Sequence, residues 1–444
     1  MADYTAYSVS WNLTQRCNLV CAHCYMSAFA GADTRGELST EECRRVIDEI
    51  GAINPNVLLI LTGGEPFLRQ DLFEVAAYAA DRRFTVVVGT NGLLLREREA
   101  RRMRQVGVLG ASLSLDSTDR ERHDRFRHLP GAWDGALRAT RVLRAEGLDF
   151  SLHMSVTDWN LAEIPAMIDL ARELGAKVLN FFFLVRTGRG VDLTDITPEQ
   201  YERVLTYLAK IQTVGLGGAP DPPGSGGFED PWSAPVGRLG DLLIRAKCAP
   251  HFRRIIWELD PTSRLLGNYA HGACPAGKYY CRITPDGDVT PCPYMPVSAG
   301  NLRRASFADI WRGAPVLEEL RQERLGGRCG ACEFSKLCGG CRCRAYATSG
   351  DYLAEDPACA YQPGAHGGQP IELPPSLTWG LEVAPEIAWE EAARARLRAV
   401  PSFARGMVVR AVEAYARGRG QAVVTAEVLA QVRAQWGARF RPRE

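Results

Sequence analysis

The chain has 444 residues, 46% of them hydrophobic, which is enough to bury two or three cores. A formal net charge of +1 argues against a general polyanion, nucleic acid included, as partner. No apolar stretch is long enough to span a bilayer and no signal peptide opens the sequence, so its fourteen cysteines read as metal ligands in a reducing cytoplasm rather than as disulfides.

Through the first 190 residues short β-rich runs alternate with helical patterns. Strands are expected at 8–13, 57–61, 84–89, 108–115, 150–156 and 178–185, with helices at 39–53, 71–81, 96–106, 133–146 and 161–174. Ser39 or Thr40 caps the first helix. Near-continuous apolar strands in six strand–helix units predict a parallel sheet buried on both faces.

Cys17, Cys21 and Cys24 form a Cys-x3-Cys-x2-Cys triplet just after the first apolar run. Three thiolates are one short of the four that a 4Fe–4S cube ordinarily takes, so one iron would stay open to a substrate or cofactor. A structural zinc or a redox thiol group is the plainer reading. The second strand runs into Thr62-Gly63-Gly64-Glu65-Pro66, where glycines permit close backbone approach and Pro66 fixes the exit. The third strand closes on Gly89-Thr90-Asn91-Gly92, and the fourth on Ser112 to Ser117, which includes Ser114 and Asp116. His123, Asp124 and Arg127 follow on the next loop.

The glycine- and proline-rich stretch 215–236 reads as a long loop. The region 237–363 carries ten of the eleven cysteines outside the triplet, Cys43 being the exception. Cys274, Cys281 and Cys292 surround a Pro-Asp-Gly turn, and Cys329, Cys332, Cys338, Cys341, Cys343 and Cys359 come later. Cys-x2-Cys pairs of this kind also suit zinc. A linker at 364–384 leads to a basic helical segment, 385–444, with eleven Arg against six Asp or Glu.

The triplet, followed at a strand's end by Gly-Gly-Glu-Pro, resembles the radical S-adenosylmethionine (SAM) enzymes. That resemblance implies an α/β fold, a partial (β/α)6 barrel over 1–214 with its chemistry at the C-terminal strand ends. It implies a SAM-binding 4Fe–4S cluster on Cys17, Cys21 and Cys24, whose open iron chelates the amino and carboxylate groups of SAM. Gly63, Gly64, Glu65 and Pro66 would hold the SAM amino group. Asn91, Ser114 and Asp116 would lie beside SAM, and Arg127 would pair with its carboxylate. His123 would be structural, and His23 would pack or contact adenine.

The region 237–363 resembles the SPASM domain, which implies one or two auxiliary 4Fe–4S clusters. Cys274, Cys281, Cys292 and Cys341 would bind the first, and Cys329, Cys332, Cys338 and Cys359 the second. Cys343 exceeds the pattern, while Cys43 and Cys248 read as buried or structural. The segments 180–190, 247–261, 274–303 and 338–361 resemble the branch of this family that acts on haem precursors. The stretch 389–425 resembles the small helical domain that ends a protochlorophyllide reductase subunit.

The implied activity is that of a cytoplasmic radical SAM oxidoreductase in haem biosynthesis. A 5′-deoxyadenosyl radical would decarboxylate or trim carboxylate side chains of an iron tetrapyrrole, with electrons from a flavodoxin or a ferredoxin-type donor. Arg186, Arg189, Arg253 and Arg254 are the candidate cations for those carboxylates. The alternatives are a peptide maturase, which would ordinarily carry a leader-binding domain, and a non-enzymatic iron–sulfur carrier.

Overall fold

A computed structural model describes residues 4–213, 239, 242–269, 272–374, 377–380, 383–398, 400 and 402–435. The 215–236 loop expected from sequence lies outside the described residues.

Seven strands, β1 (Ser8–Asn12), β2 (Leu58–Thr62), β3 (Thr85–Thr90), β4 (Gly110–Ser114), β5 (Asp149–Val156), β6 (Val178–Phe183) and β7 (Leu243–Lys247), lie side by side in chain order, all parallel. Helices α1 (Thr40–Ile53), α2 (Leu72–Asp81), α3 (Glu97–Gln105), α4 (Arg120–Arg127), α5 (Ala132–Ala145), α6 (Ile164–Leu174) and α7 (Pro198–Thr213) lie along the chain between them. The capping signal is real. Ser39 Oγ accepts from the Glu42 N–H (3.2 Å), and the Glu42 carboxylate accepts from the Ser39 N–H (2.7 Å).

The sheet differs from expectation in two respects. First, β1, β4 and β5 carry polar residues between the apolar ones, whereas β2, β3 and β6 are near-continuously apolar. Val9, Trp11, Leu59, Leu61, Val86 and Val88 are buried in the main core. The intervening positions carry Ser10, Asn12, Thr62, Gly89, Ser112 and Ser151. Successive side chains point to opposite faces, so one face packs in the core and the other forms an inner wall on which Ile60, Val87 and Phe182 sit among these polar groups. Second, β7 lies in the region 237–363 yet pairs with β6, Val178 opposite Leu243.

That second region continues through α8 (Phe252–Leu259), β8 (Asn268–Tyr269), β9 (Tyr280–Ile283), β10 (Asp288–Thr290) and β11 (Gly300–Asn301). It ends with α9 (Phe307–Gly313), α10 (Pro315–Gln322), α11 (Gly327–Ala331) and α12 (Arg342–Ser349). Strand β9 pairs in parallel with β1, Val9 opposite Cys281, so its hairpin extends the barrel sheet to ten strands.

The last elements are β12 (Thr378–Trp379), β13 (Ala388–Trp389), α13 (Glu391–Arg398), α14 (Ser402–Gly418), β14 (Val423–Val424) and α15 (Ala426–Gln435). β12 pairs with β8, and the rest form a small core around Trp389, Val409, Val412, Val424 and Val428. Buried Glu413 organises it, accepting from the Trp389 indole N–H (3.0 Å) and the Glu386 N–H (3.0 Å). Ser402 joins it to the barrel by bonds to Asn54 and Asn56 (3.3 Å each).

Candidate active site and cluster sites

The loop after β1 gathers Cys17, Cys21 and Cys24 in an apolar nest with Leu19, Met26 and Ala28. Burial pushes the Cys17 thiol up to about 12, so a bound metal would have to displace its proton. The Leu19 N–H points at Cys17 Sγ (3.4 Å), and Arg127 Nη1 at Cys21 Sγ (3.6 Å). Arg189 fixes the loop from behind, donating to the carbonyls of Cys21 (2.8 Å) and Ala28 (3.0 Å). Gly188, at φ +55°, leaves no room for a side chain. A Cβ there would stand 2.5 Å from the Cys24 carbonyl oxygen.

The Gly-Gly-Glu-Pro turn docks against the residues that lead into this loop. Gly64 N–H donates to the Thr14 carbonyl (2.7 Å) and Glu65 N–H to the Arg16 carbonyl (2.8 Å). A Cβ on Gly63 would lie 2.7 Å from the Thr14 oxygen. The close approach made here is therefore to the chain's own backbone, which sets the turn beside the thiols. Pro66 starts a short 3-10 turn, and Asn91 donates through Nδ2 to Asn18 Oδ1 (2.8 Å).

Glu65 is wholly buried and accepts from the Thr90 hydroxyl (2.8 Å), the Asn91 N–H (3.0 Å) and the Phe67 N–H (3.3 Å). Burial outweighs these donors and raises its carboxyl from the usual 4.5 to about 7. A raised folded-state value stabilises fully below the ordinary value and is lost as pH climbs through about 7. The metal-free protein should therefore lose on the order of 3 kcal/mol between pH 4.5 and 8 relative to Glu65→Gln, read by urea unfolding. Parallel pH profiles for the two proteins would refute this.

Beyond β4, Asp116 is fully buried. One of its oxygens takes Arg127 Nε and Nη2 (2.6 Å each), and the other takes the Ser155 N–H (2.9 Å). Burial would raise the Asp116 carboxyl, but Arg127 overcomes that and holds it below the usual range. Ser114 pairs in register with His153 on β5. His123 Nδ1 accepts the Asp116 N–H (3.1 Å), and burial lowers it to about 4, so it is neutral and structural. His23 stacks on Phe126, ring centroids 4.6 Å apart.

Cys329, Cys332, Cys338 and Cys359 line one cavity in the second region. Gly340 (φ +65°) borders it, and a Cβ there would approach Cys329 Sγ to 2.9 Å. Four thiols lining one cavity are the donor set an iron–sulfur cube takes. A second gathering contains Cys274, Cys292, Cys341, Cys343 and Cys248. Among the described residues no three His, Cys, Asp or Glu side chains are set to hold a single metal ion.

Cys281 does not join the second gathering. It lies opposite Val9 in the register, so alternation turns it into the core, and it is 0% exposed.

The four candidate substrate arginines are already engaged. Arg189 holds the cluster loop, and Arg186 donates to the Val191 carbonyl (3.0 Å). Arg253 donates to the Leu265 carbonyl, and buried Arg254 forms ion pairs with Glu202 and Glu258. Sequence reasoning instead missed Lys247, the last residue of β7, on the face shared with Phe182 and His153. Burial, then Arg245, lowers its amine to about 7, and no carboxylate pairs with it among the described residues.

Parallel strands, a triplet of thiols and a glutamate turn at one sheet end define a SAM-dependent iron–sulfur enzyme. Residues 11–171 match the model of the radical SAM superfamily, 274–333 that of the SPASM iron–sulfur cluster-binding domain, and 389–433 that of the protochlorophyllide reductase 57 kD subunit. An AdoMet-dependent heme synthase of Methanosarcina barkeri is 38% identical over 80% of this chain and 97% of its own. A pre-heme d1 synthase of Dinoroseobacter shibae is 31% identical over 82% and 88%. Streptococcus suis SuiB bound to S-adenosylmethionine shares the fold, with TM-score 0.61 and 16% identity over 81% of this chain and 78% of that one. The chain belongs to the radical SAM superfamily, among the members with a SPASM domain, and is a radical SAM enzyme with SAM and 4Fe–4S clusters as its cofactors.

Proposed function

We propose that this enzyme acts in haem biosynthesis, removing carboxyl groups from the side chains of an iron tetrapyrrole by oxidative decarboxylation. Bound at Cys17, Cys21 and Cys24, the cluster with SAM would supply a 5′-deoxyadenosyl radical for hydrogen abstraction. The chain's own residues position that group. The Gly63–Pro66 turn stands beside the thiols, with Asn91, Ser114, Asp116 and Arg127 around it, and Arg189 holds the loop. Two auxiliary clusters, a flavodoxin or ferredoxin-type donor and a cytoplasmic setting complete the reading. Among the described residues no helix is long and apolar enough to cross a membrane.

The observation that carries the reading is Lys247. An amine with no carboxylate partner among the described residues, which a carboxylate brought beside it would hold protonated, ends β7 at the C-terminal edge of the barrel, the edge where β1 delivers the cluster thiols. A substrate rich in carboxylates is what such a site recognises. It is supported by relatives named for heme and pre-heme d1 synthesis.

The test adds iron coproporphyrin III to the anaerobic, reconstituted enzyme, follows the Soret band on binding, then analyses products by mass spectrometry. Vinyl formation removes carbon dioxide and a pair of hydrogens, whereas acetate trimming to methyl removes carbon dioxide alone. Lys247→Ala should weaken binding about tenfold while uncoupled SAM cleavage persists. No band shift and no mass change, with modification of a leader-bearing peptide instead, would make the enzyme a peptide maturase.

A further inference from the structure

Five thiols converge where the barrel meets the cysteine-rich region, one more than a cube can use. Cys274 and Cys292 flank the β9–β10 hairpin, and Cys341 and Cys343 open α12. Cys248 arrives from the barrel side, immediately after β7. Cys343 is within hydrogen-bonding reach of Cys274, Cys292 and Cys341, and Cys341 is within reach of Cys248.

We propose that Cys248 is a ligand of the first auxiliary 4Fe–4S cluster, with Cys274, Cys292 and Cys341, and that Cys281 is not. The assignment rests on the reading that the second region carries clusters.

One ion pair indexes Cys248 and Cys341 to each other. Arg344 Nη1 meets both oxygens of buried Asp356 (3.1 Å each). The same arginine donates through Nη2 to the Cys248 carbonyl (2.6 Å), and the same aspartate accepts the Cys341 N–H (2.7 Å). Cys248 has φ +59°, which a non-glycine residue keeps only when its surroundings hold it there. That turn brings its thiol back toward the hairpin thiols instead of along β7. Each thiol releases its proton to solvent on binding iron, so the four ligate as thiolates. Cys343 is the fifth thiol, on the first turn of α12 beside the set.

The test uses the full chain carrying Cys343→Ala, which removes the spare thiol, reconstituted anaerobically and compared with the wild type. Cys281→Ala should keep the full iron content and unchanged electron paramagnetic resonance (EPR) of the reduced auxiliary clusters. Cys248→Ala should lose from one to about four irons per chain, or show the oxidised signal of a three-iron cluster. Cys248→Ser should keep its iron and shift that EPR spectrum, an effect no merely structural cysteine would produce. The SAM-induced EPR change of the first cluster reports that each variant is folded. Loss of the auxiliary signal in Cys281→Ala, an unchanged signal in Cys248→Ala, or loss in Cys343→Ala alone would each overturn the assignment. Wild type holding only about four irons would instead remove the reading on which the assignment rests.

Discussion

Alanine at Cys17, Cys21 and Cys24 should abolish SAM cleavage and leave about eight of about twelve irons bound, at four irons per cube. The triplet sits on one loop after β1, in its own apolar nest, while the other thiol groups belong to the region after β7. Removing the triplet therefore leaves both later gatherings intact. Iron and sulfide assays on the anaerobically reconstituted protein, with 5′-deoxyadenosine as the cleavage product, read both halves of the expectation. Full iron content together with SAM cleavage would refute the assignment of these thiols.

Alanine at Cys329 and Cys332 should let hydrogen abstraction proceed and stall vinyl formation. Abstraction from a propionate β-carbon leaves a carbon-centred radical. As the bond to the carboxylate breaks, carbon dioxide departs, a vinyl group forms and one electron is released. A cluster in the cavity lined by Cys329, Cys332, Cys338 and Cys359 is the acceptor expected here. Trimming acetate to methyl would need no acceptor. In an anaerobic single turnover, 5′-deoxyadenosine should form while decarboxylated tetrapyrrole falls away. Loss of both would make the cluster structural, since a metal-built domain need not fold without its metal. Normal yields of both would remove the electron-accepting role.

The parallel barrel, the three-thiol loop and the glutamate turn were legible because each is a local signal: a period, a spacing, a turn at a strand's end. What escaped was set by pairing between distant segments. Cys281 reads as one more cysteine in a row until β9 is paired with β1, which fixes the face it takes. Cys248 reads as an isolated thiol until the Arg344–Asp356 pair places it beside Cys341. The substrate arginines read as available because their carbonyl and carboxylate partners are fixed only by the fold, from four residues away for Arg254 to 168 for Arg189. Lys247 was overlooked because nothing local marks a β7 in that region, and its meaning comes only from the neighbours that β6 and β5 supply.

The parallel pairing of β9 with β1 makes the barrel and the cysteine-rich region poor candidates for separation. β1 is the strand whose C-terminal end launches the cluster loop, and β9 covers its outer edge over Ser8–Trp11. A chain shortened to end before β9 would leave that edge with unmet N–H and C=O groups, and with β7 gone as well the opposite edge, β6, would lie open too. Two bare margins on one sheet invite strand addition from neighbouring copies, so a stand-alone barrel should collect in inclusion bodies rather than survive as a smaller enzyme.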